Sequence, residues 1–164
     1  MKTFAATVIA LAASADAFAP MKGDARASTS LNSHFTSVET KLKNKDTLLK
    51  SLNDVGVKAT VSVNGEQIEA RGYKGESVMA DIVIPQSNNY DVAFRYNGNT
   101  YELVTDMQFW EQKMPVSAFM EKLNQRYAFN SIIDTAGNDG FNVEKVKTSV
   151  DGTVTLKMNR YAFN

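Results

Sequence analysis

Two side chains of this sequence, His34 and Asp106, are the strongest candidates for a polar site. His34 is the single histidine among 164 residues, so a general base with an imidazole ring would have to be this residue. Asp106 stands in the segment TDMQFW after a predicted strand, and connecting segments often carry binding residues. If the fold brings the two together, they predict a site for a small metabolite. In the alternative, His34 packs against its neighbour and Asp106 caps a turn.

Catalytic chemistry beyond that pair finds little support in the sequence. The chain contains no cysteine, which excludes disulfides, thiolate metal sites and cysteine nucleophiles. No carboxylates stand at ligand spacing from His34, and the segment GYKG at 72–75 matches neither a phosphate loop nor a dinucleotide fingerprint. We therefore assign no catalytic residues, no metal and no cofactor, and the sequence leans against an enzyme.

Charge composition limits the nucleic-acid partners. The 18 basic and 18 acidic side chains balance, and neither sign forms a long run. A duplex-binding surface needs many cations on one face to displace phosphate counterions, so DNA is excluded as a partner. From residue 33 onward, 15 basic residues stand against 16 acidic ones, which disfavours an RNA-binding platform. The charge composition therefore predicts no DNA partner and makes an RNA partner unlikely.

Four residues are candidates for contact with a protein partner, namely Phe109, Trp110, Arg160 and Tyr161. Arginine and aromatic side chains are enriched among the residues that dominate binding energy at protein interfaces. Phe109 and Trp110 follow Asp106 and precede a predicted helix, whereas Arg160 and Tyr161 end the last predicted strand. The alternative is that the two aromatic residues cover a sheet edge and that the strand end is solvated.

The first 32 residues have the composition of a targeting presequence. Lys2 precedes the apolar run TFAATVIALAASA and Ala17 completes a small-residue cleavage site, so residues 1–17 are predicted to be a signal peptide. Residues 18–32 are rich in serine and threonine and poor in acids, as transit peptides are. With Phe18 at the junction, the segment resembles the bipartite presequence of algae with complex red-derived plastids. The resemblance implies import into the plastid stroma; the alternative is an ordinary secreted protein.

Periodicity predicts a single α+β domain over residues 33–164. With 43% hydrophobic and 22% charged residues, the chain can form a packed core. One helix is predicted with Asp46 as its N-cap and Gly56 as its stop, and a longer one runs from Pro115 to about Gly137. Runs of alternating apolar residues predict strands. Two-residue hairpin turns are predicted at Asn64-Gly65, Asn97-Gly98 and Asp151-Gly152. We expect an antiparallel sheet built from hairpins, with the two helices packed on one face.

Several segments of this domain resemble a known family: SHFTSVETKLKNKDTLLKSLNDVG, YDVAFRYNGNTYELVTDMQFW, PVSAFMEKLNQRYA and DGTVTLKMNRY. The family is the plastid and cyanobacterial hypothetical-reading-frame family number thirty-five of the ycf series, and the resemblance covers about Ser33 to Tyr161. Plastid-encoded members begin at Met-Ser-His-Phe, which implies that a nuclear copy gained the first 32 residues. Members usually carry Gln-Arg-Trp where this chain has Asn159-Arg160-Tyr161.

The family has no settled biochemical activity. The resemblance therefore implies a subcellular location and a fold, but not a reaction. The combined prediction is a plastid stromal accessory protein that is not an enzyme. It would support the photosynthetic apparatus by binding another protein, and its mature form would have no transmembrane segment. The alternative is an enzyme or a binding protein for a small plastid metabolite, with His34 and Asp106 at its site.

Overall fold

The computed structural model describes residues 4–7, 34–150 and 152–160. In chain order the elements are β1 (Phe4–Thr7), β2 (Thr36–Val38), α1 (Lys45–Val55), β3 (Thr60–Val61), β4 (Ile68–Arg71), β5 (Ser77–Ala80), β6 (Ile82–Ile84), β7 (Val92–Tyr96), β8 (Tyr101–Thr105), α2 (Val116–Asn138), β9 (Phe141–Thr148) and β10 (Val154–Arg160). The described residues divide into two compact units, one of residues 34–127 and one of residues 4–7 with 128–160. The boundaries predicted from the sequence, at residues 17, 32 and 33, stay predictions.

An antiparallel sheet of five strands forms the centre of the first unit, in the order β2-β8-β7-β6-β3. The hairpin between β7 and β8 closes where Tyr96 pairs with Tyr101. In its turn, the Asn97 side-chain oxygen accepts hydrogen bonds from the backbone N–H groups of Asn99 and Thr100. The hairpin predicted at Asn97-Gly98 is thus confirmed, as is the α+β class with antiparallel pairing.

Helix α1 and the part of α2 that belongs to the first unit, up to Tyr127, pack against one face of this sheet, which we call the helix face. The buried side chains of the contact are large and apolar, and they include Leu48 of α1, Phe94 of β7, Leu103 of β8 and Phe119 of α2. Burial of such side chains is the main stabilising term in folding. The predicted packing of the helices on one face is therefore confirmed.

The opposite face of the sheet is covered by a two-stranded antiparallel ribbon of β4 and β5, and we call it the ribbon face. Its buried contacts are made by smaller side chains, among them Ala70 and Ala80 of the ribbon and Ala93 and Val104 of the sheet. Small side chains allow the ribbon backbone to approach the sheet closely. The sequence analysis did not predict this second layer.

Two local predictions for the first unit are wrong in detail. Asn64 and Gly65 form a turn with positive φ angles of 56° and 80°, but the strands on either side do not pair with each other. Instead β3 pairs with β6, and β4 pairs with β5. The N-cap of α1 is Asn44, whose side chain accepts a hydrogen bond from the backbone N–H of Thr47, and Asp46 lies in the first turn.

The other predicted helix ends, namely the end of α1 and both ends of α2, agree with the structure. Gly56 ends α1 in the left-handed conformation at φ 87°, which glycine adopts without the steric cost that a Cβ atom brings. The carbonyl of Pro115 accepts the first backbone hydrogen bond of α2, from Phe119. The helix ends at Asn138, close to the predicted break.

The second unit contains a three-stranded antiparallel sheet in the order β1-β10-β9. The predicted final hairpin of β9 and β10 is confirmed, and Gly152 in its turn has φ 83°. The strand β1 pairs along β10, with Phe4 opposite Arg160. In the described ranges, neither α1 nor α2 combines the length and the apolar composition needed to cross a membrane.

Candidate functional site

Four aromatic rings converge in the first unit, and we call them the ring cluster: His34, Tyr73, Tyr90 and Phe109. The rings of Tyr73 and Phe109 are stacked with centroids 5.0 Å apart, and those of Tyr90 and Phe109 are 4.3 Å apart. The imidazole of His34 meets Tyr73 edge to face at 4.9 Å. Tyr73, Tyr90 and Phe109 are half-buried and His34 is exposed, so one side of the cluster faces solvent.

A tight turn after β4 carries Tyr73 into the cluster. Gly72 precedes it, and a Cβ atom at this position would lie 2.5 Å from two ring carbons of Phe35, so only glycine fits without displacing that ring. Lys74 then adopts a left-handed conformation with φ 52°, which is strained for a residue with a side chain. Such backbone strain is concentrated at functional sites. The Lys74 ammonium lies 5.2 Å from the centre of the Tyr73 ring.

The segment after β8 supplies Phe109 and Asp106. Residues Met107–Phe109 form a single 3₁₀ turn, and Asp106 is its N-cap, with Oδ1 accepting a hydrogen bond of 2.9 Å from the backbone N–H of Gln108. The other carboxylate oxygen, Oδ2, is buried and has no hydrogen-bond partner among the described residues. A buried polar atom without a partner is unfavourable by about 1–3 kcal/mol. This oxygen could therefore gain a hydrogen bond from a ligand.

The structure brings His34 and Asp106 together, as the site hypothesis required. The distance from His34 Nδ1 to Asp106 Oδ2 is 3.8 Å, and the side chains are 44% and 4% exposed, respectively. At this distance the two attract each other when the imidazole is protonated, but they do not form a hydrogen bond. The backbone N–H of His34 donates to Glu76 Oε2 at 3.0 Å, which fixes the start of this segment beside the ribbon.

One buried amide, the side chain of Gln86, holds two members of the cluster in place. Its Nε2 donates to the carbonyl oxygens of Tyr90 and Phe109. Its Oε1 accepts from the backbone N–H of Glu111 at 2.7 Å and from Gln112 Nε2 at 3.1 Å. The Gln86 side chain thus joins the loop of Tyr90 to the segment of Phe109, and Asn88 Nδ2, which donates to the Phe109 carbonyl at 2.8 Å, joins them a second time.

An ion pair fixes the base of the same loop. Arg71 at the end of β4 donates from Nε and Nη2 to the two carboxylate oxygens of Asp91, each at 2.9 Å. A third bond joins Arg71 Nη1 to the Asn89 side-chain oxygen at 3.0 Å. The hydrogen bonds that Arg71 donates to Asp91 raise the pKa of its guanidinium, and the charge of Asp91 adds to this effect. Arg71 therefore has a structural role, because its guanidinium is bound to Asp91 and Asn89.

The remaining predicted contact residues lie elsewhere. The indole of Trp110 packs on the ring of Phe119 at 5.3 Å, and its N–H donates to the Met114 carbonyl at 2.8 Å. Trp110 therefore belongs to the packing of the helix face rather than to the ring cluster. Arg160 lies on β10 in the second unit, with its guanidinium carbon 5.7 Å from the centre of the Phe141 ring. Tyr161, Ala17 and Phe18 lie outside the described residues.

Sequence reasoning missed Tyr73 and Tyr90. Each lies in a loop with a residue of positive φ, Lys74 beside Tyr73 and Asn89 beside Tyr90. The only local signal was a pair of glycines around Tyr73 in GYKG, which the sequence analysis tested as a phosphate loop. An aromatic residue between two glycines is also typical of a tight turn that presents a ring.

The second unit contains a separate open cavity of about 370 Å³. It is lined mostly by apolar surface from one face of α2 and from the hairpin, including Ile132, Phe141 and Met158. None of the residues predicted for a site is among those that line it. The ring cluster is therefore the candidate that the structure and the sequence support together.

Comparison with known proteins identifies the family. The model of the family described as "Protein of unknown function (DUF1257)" matches residues 51–157. A protein of Guillardia theta named "Uncharacterized protein ycf35" is 43% identical over 129 residues, which cover 79% of this chain and 98% of that protein. The chain belongs to the ycf35 family. The ycf35 proteins of Cyanophora paradoxa and Pyropia yezoensis are 34% and 33% identical, each over 80% of this chain and 99% of their own length.

The ycf35 relatives come from plastid genomes, which indicates a plastid protein. Their alignment over nearly their whole length corresponds to the resemblance that the sequence segments had suggested. No solved structure matches the chain. The geometry of the ring cluster is therefore the basis for a functional proposal.

Proposed function

We propose that this ycf35 protein is a stromal accessory factor that supports the photosynthetic apparatus by binding another protein, and that the partner contacts the ring cluster. The plastid origin of its relatives supports the location. The presequence predicted in residues 1–32 supports import, with a signal peptide to Ala17 and a transit segment from Phe18. The observation that carries the proposal is the ring cluster itself.

The ring cluster has the composition and rigidity of a binding surface. Three half-buried rings of the cluster, Tyr73, Tyr90 and Phe109, are in mutual contact. Aromatic residues are the side chains most often responsible for binding energy at interfaces, because they bury a large area and lose little conformational freedom. Gln86 and the ion pair of Arg71 with Asp91 fix the two loops in advance. A preorganised surface loses less entropy on binding.

The test is affinity capture from gently solubilised plastids with a C-terminally tagged full-length chain, read by quantitative mass spectrometry. We expect one partner at near-stoichiometric yield with the natural sequence and loss of that partner with Phe109→Ala. The matched control is Tyr96→Ala, which removes an exposed ring of the same unit that lies outside the cluster. Thermal unfolding of each variant confirms that it is folded.

Two outcomes would contradict the proposal. One is a partner that Phe109→Ala and Tyr96→Ala retain equally. The other is recovery of the natural chain alone under conditions that preserve plastid complexes.

Arg160, together with Tyr161 beyond the described residues, stays a proposed second contact. Arg160 is exposed on β10, and arginine is frequent at interface hot spots. Trp110 was proposed with Phe109, but its contacts with Phe119 and Met114 support a packing role instead. We therefore expect Arg160→Ala to weaken capture, and Trp110 substitutions to act through stability.

A second candidate function is favoured by the approach of His34 to Asp106. A buried carboxylate facing Nδ1 of an exposed imidazole leaves Nε2 as the nitrogen that could bind a small metabolite or accept its proton. The chain would then be incubated with a plastid metabolite extract, desalted, denatured and assayed for released small molecules. Retention by the natural chain and not by His34→Gln would support this function, and release of nothing from the natural chain would count against it.

A further inference from the structure

We propose that Asp106 is the recognition group beneath the ring cluster, and that it binds a guanidinium group from an arginine side chain of the protein partner. This inference rests on the proposed function, because it names the chemistry of the partner at the same surface. It adds a charged contact to a site that is otherwise aromatic.

One carboxylate oxygen of Asp106 is left without a hydrogen bond. Asp106 is 4% exposed, and its Oδ2 has no hydrogen-bond partner in the part of the chain that the structure describes. The nearest nitrogen of a titratable side chain is His34 Nδ1 at 3.8 Å, beyond hydrogen-bond distance. A buried carboxylate oxygen is normally hydrogen-bonded, and each exception calls for an explanation. An incoming N–H donor would supply the missing bond.

The orientation of the carboxylate is fixed. Oδ1 accepts the hydrogen bond from the backbone N–H of Gln108, and the 3₁₀ turn that follows is anchored by a bond from the Phe109 N–H to the Asp106 carbonyl. The group therefore cannot rotate to satisfy Oδ2 without breaking its cap. Oδ1 therefore caps the 3₁₀ turn, and Oδ2 remains available to a ligand.

A basic side chain lies close to Oδ2. Among the described residues, the basic side chain within ion-pair distance of this oxygen is that of His34, which is 44% exposed and lies near the N-terminal edge of the described chain. Its imidazole meets the Tyr73 ring edge to face, with the ring centroids 4.9 Å apart. A planar guanidinium that displaced the imidazole would gain both the carboxylate and the aromatic faces behind it.

A guanidinium suits this site better than an ammonium does. A guanidinium is planar, stacks on aromatic rings and is less strongly hydrated than an ammonium, so it is the easier of the two to bury. The Tyr73 ring already attracts a cation, since the Lys74 ammonium lies 5.2 Å from its centre. Arg71 cannot serve Asp106, because its guanidinium is held by Asp91 and Asn89. The proposal therefore places the arginine on the partner.

The test is a titration of the ¹⁵N-labelled full-length chain with N-acetyl-arginine amide, followed by two-dimensional NMR. We expect saturable shift changes at His34, Tyr73, Gln108 and Phe109. N-acetyl-citrulline amide has nearly the same shape without the charge, and it should produce no saturable change. N-acetyl-lysine amide should bind more weakly than the arginine probe.

Two variants locate the effect. Asp106→Asn retains the oxygen that caps Gln108 and removes the charge, and it should raise the dissociation constant for the arginine probe about tenfold or more, as expected for loss of a charge-assisted hydrogen bond. Glu111→Gln removes the same charge from a neighbouring exposed position whose Oε2 accepts from Ser87 and Asn88. It should leave the constant within about twofold, since exposed charges contribute little.

The outcomes separate this inference from the proposed function. Equal binding of the arginine and citrulline probes, or no saturable change with either, overturns the guanidinium inference even if Phe109→Ala abolishes partner capture. The comparison of the two probes uses the natural chain, so it holds even if Asp106→Asn is poorly folded. Conversely, arginine binding with a partner that ignores Phe109→Ala would support the site and refute the proposed function.

Discussion

The two faces of the five-stranded sheet differ in what their side chains contribute. On the helix face, Phe94 of β7 and Leu103 of β8 are fully buried against α1 and α2. On the ribbon face, the same two strands present Ala93 and Val104 to the β4–β5 ribbon. Strand alternation places these sets on opposite sides. The helix face therefore buries large apolar side chains, whereas the small side chains of the ribbon face allow the β4–β5 ribbon to approach the sheet closely.

The two faces have different roles: the helix face stabilises the fold, and the ribbon face positions the ring cluster. Large apolar side chains make the helix face the main source of burial energy. The small residues of the ribbon face let the ribbon lie close, so that its end delivers Tyr73 to Phe109 and to His34. The ribbon face also becomes polar where its apolar contacts end, since Arg95 and Glu102 pair there across β7 and β8. We expect substitutions on the two faces to have different consequences.

The largest effect is expected from Phe94→Ala on the helix face. Phe94 is fully buried, and truncation of such a side chain removes its burial energy and leaves a cavity, for a loss of about 3–5 kcal/mol in the free energy of unfolding. Phe109→Ala, in a half-buried ring, should lose only about 1–2 kcal/mol. Urea denaturation of both variants measures the difference. Equal losses would show that the ring cluster is as much core as the helix face.

An intermediate effect is expected from Gly72→Ala on the ribbon face. The new Cβ atom would lie 2.5 Å from the Phe35 ring, so the ring must move, at about 1–3 kcal/mol. NMR shifts of Tyr73 and His34 should report the displacement. The control is Gly137→Ala, where the Cβ atom meets nothing within 4 Å and helix propensity predicts a gain of up to about 1 kcal/mol. A neutral Gly72→Ala would mean that the ribbon is not closely packed.

The smallest effect is expected from Glu102 at the polar end of the ribbon face. Burial acts to raise the pKa of Glu102, but hydrogen bonds from Asn97, Ser37 and Arg95 outweigh it, so the pKa is lowered overall. A carboxylate with a lowered folded-state pKa stabilises the fold above its unfolded-state pKa of about 4.3. That contribution is lost as the pH falls through the folded-state pKa.

The measurement for Glu102 is the free energy of unfolding of the natural chain and of Glu102→Gln, each at about pH 7 and about pH 3. At the higher pH the natural chain should be more stable by up to about 1 kcal/mol, the usual range for a partly exposed ion pair. The difference should shrink at the lower pH. A difference independent of pH would assign the effect to shape rather than to charge.

Local signals in the sequence predicted the elements that local chemistry decides. Gly56 ends α1, Asn97-Gly98 turns a hairpin and Pro115 opens α2, because each requirement is met within a few residues. The N-cap of α1 was misplaced by two residues, since Asn44 and Asp46 are both suitable caps. Only the contact of the Asn44 side chain with the Thr47 N–H distinguishes them.

Strand pairing could not be predicted in the same way. Asn64 and Gly65 do turn the chain, but a turn determines direction and not the partner of a strand. The choice of β6 for β3, and of β5 for β4, depends on which side chains fit against the sheet. Tertiary packing thus decides which strands pair, and it overrides the local hairpin signal of Asn64-Gly65.

The site was half predictable for the same reason. His34, Asp106 and Phe109 were chosen because of their types, and the structure does bring these three to one place. Tyr73 and Tyr90 were not predicted, because their contacts with Phe109 are tertiary contacts that leave no local signal in the sequence. A site assembled from four separate segments has no spacing rule that a single sequence could reveal.

The four hydrogen bonds of the Gln86 side chain imply a correlated motion of the two segments that they join. Because its amide binds the Tyr90 carbonyl on one side and the Glu111 N–H on the other, neither segment can detach without leaving polar groups of the other unsatisfied. The two segments should therefore open together, as one cooperative fluctuation rather than as two independent loops. On this expectation the surface would be either fully assembled or absent at any moment. A partner would then meet it in one conformation, and affinity would depend on how often that conformation is populated.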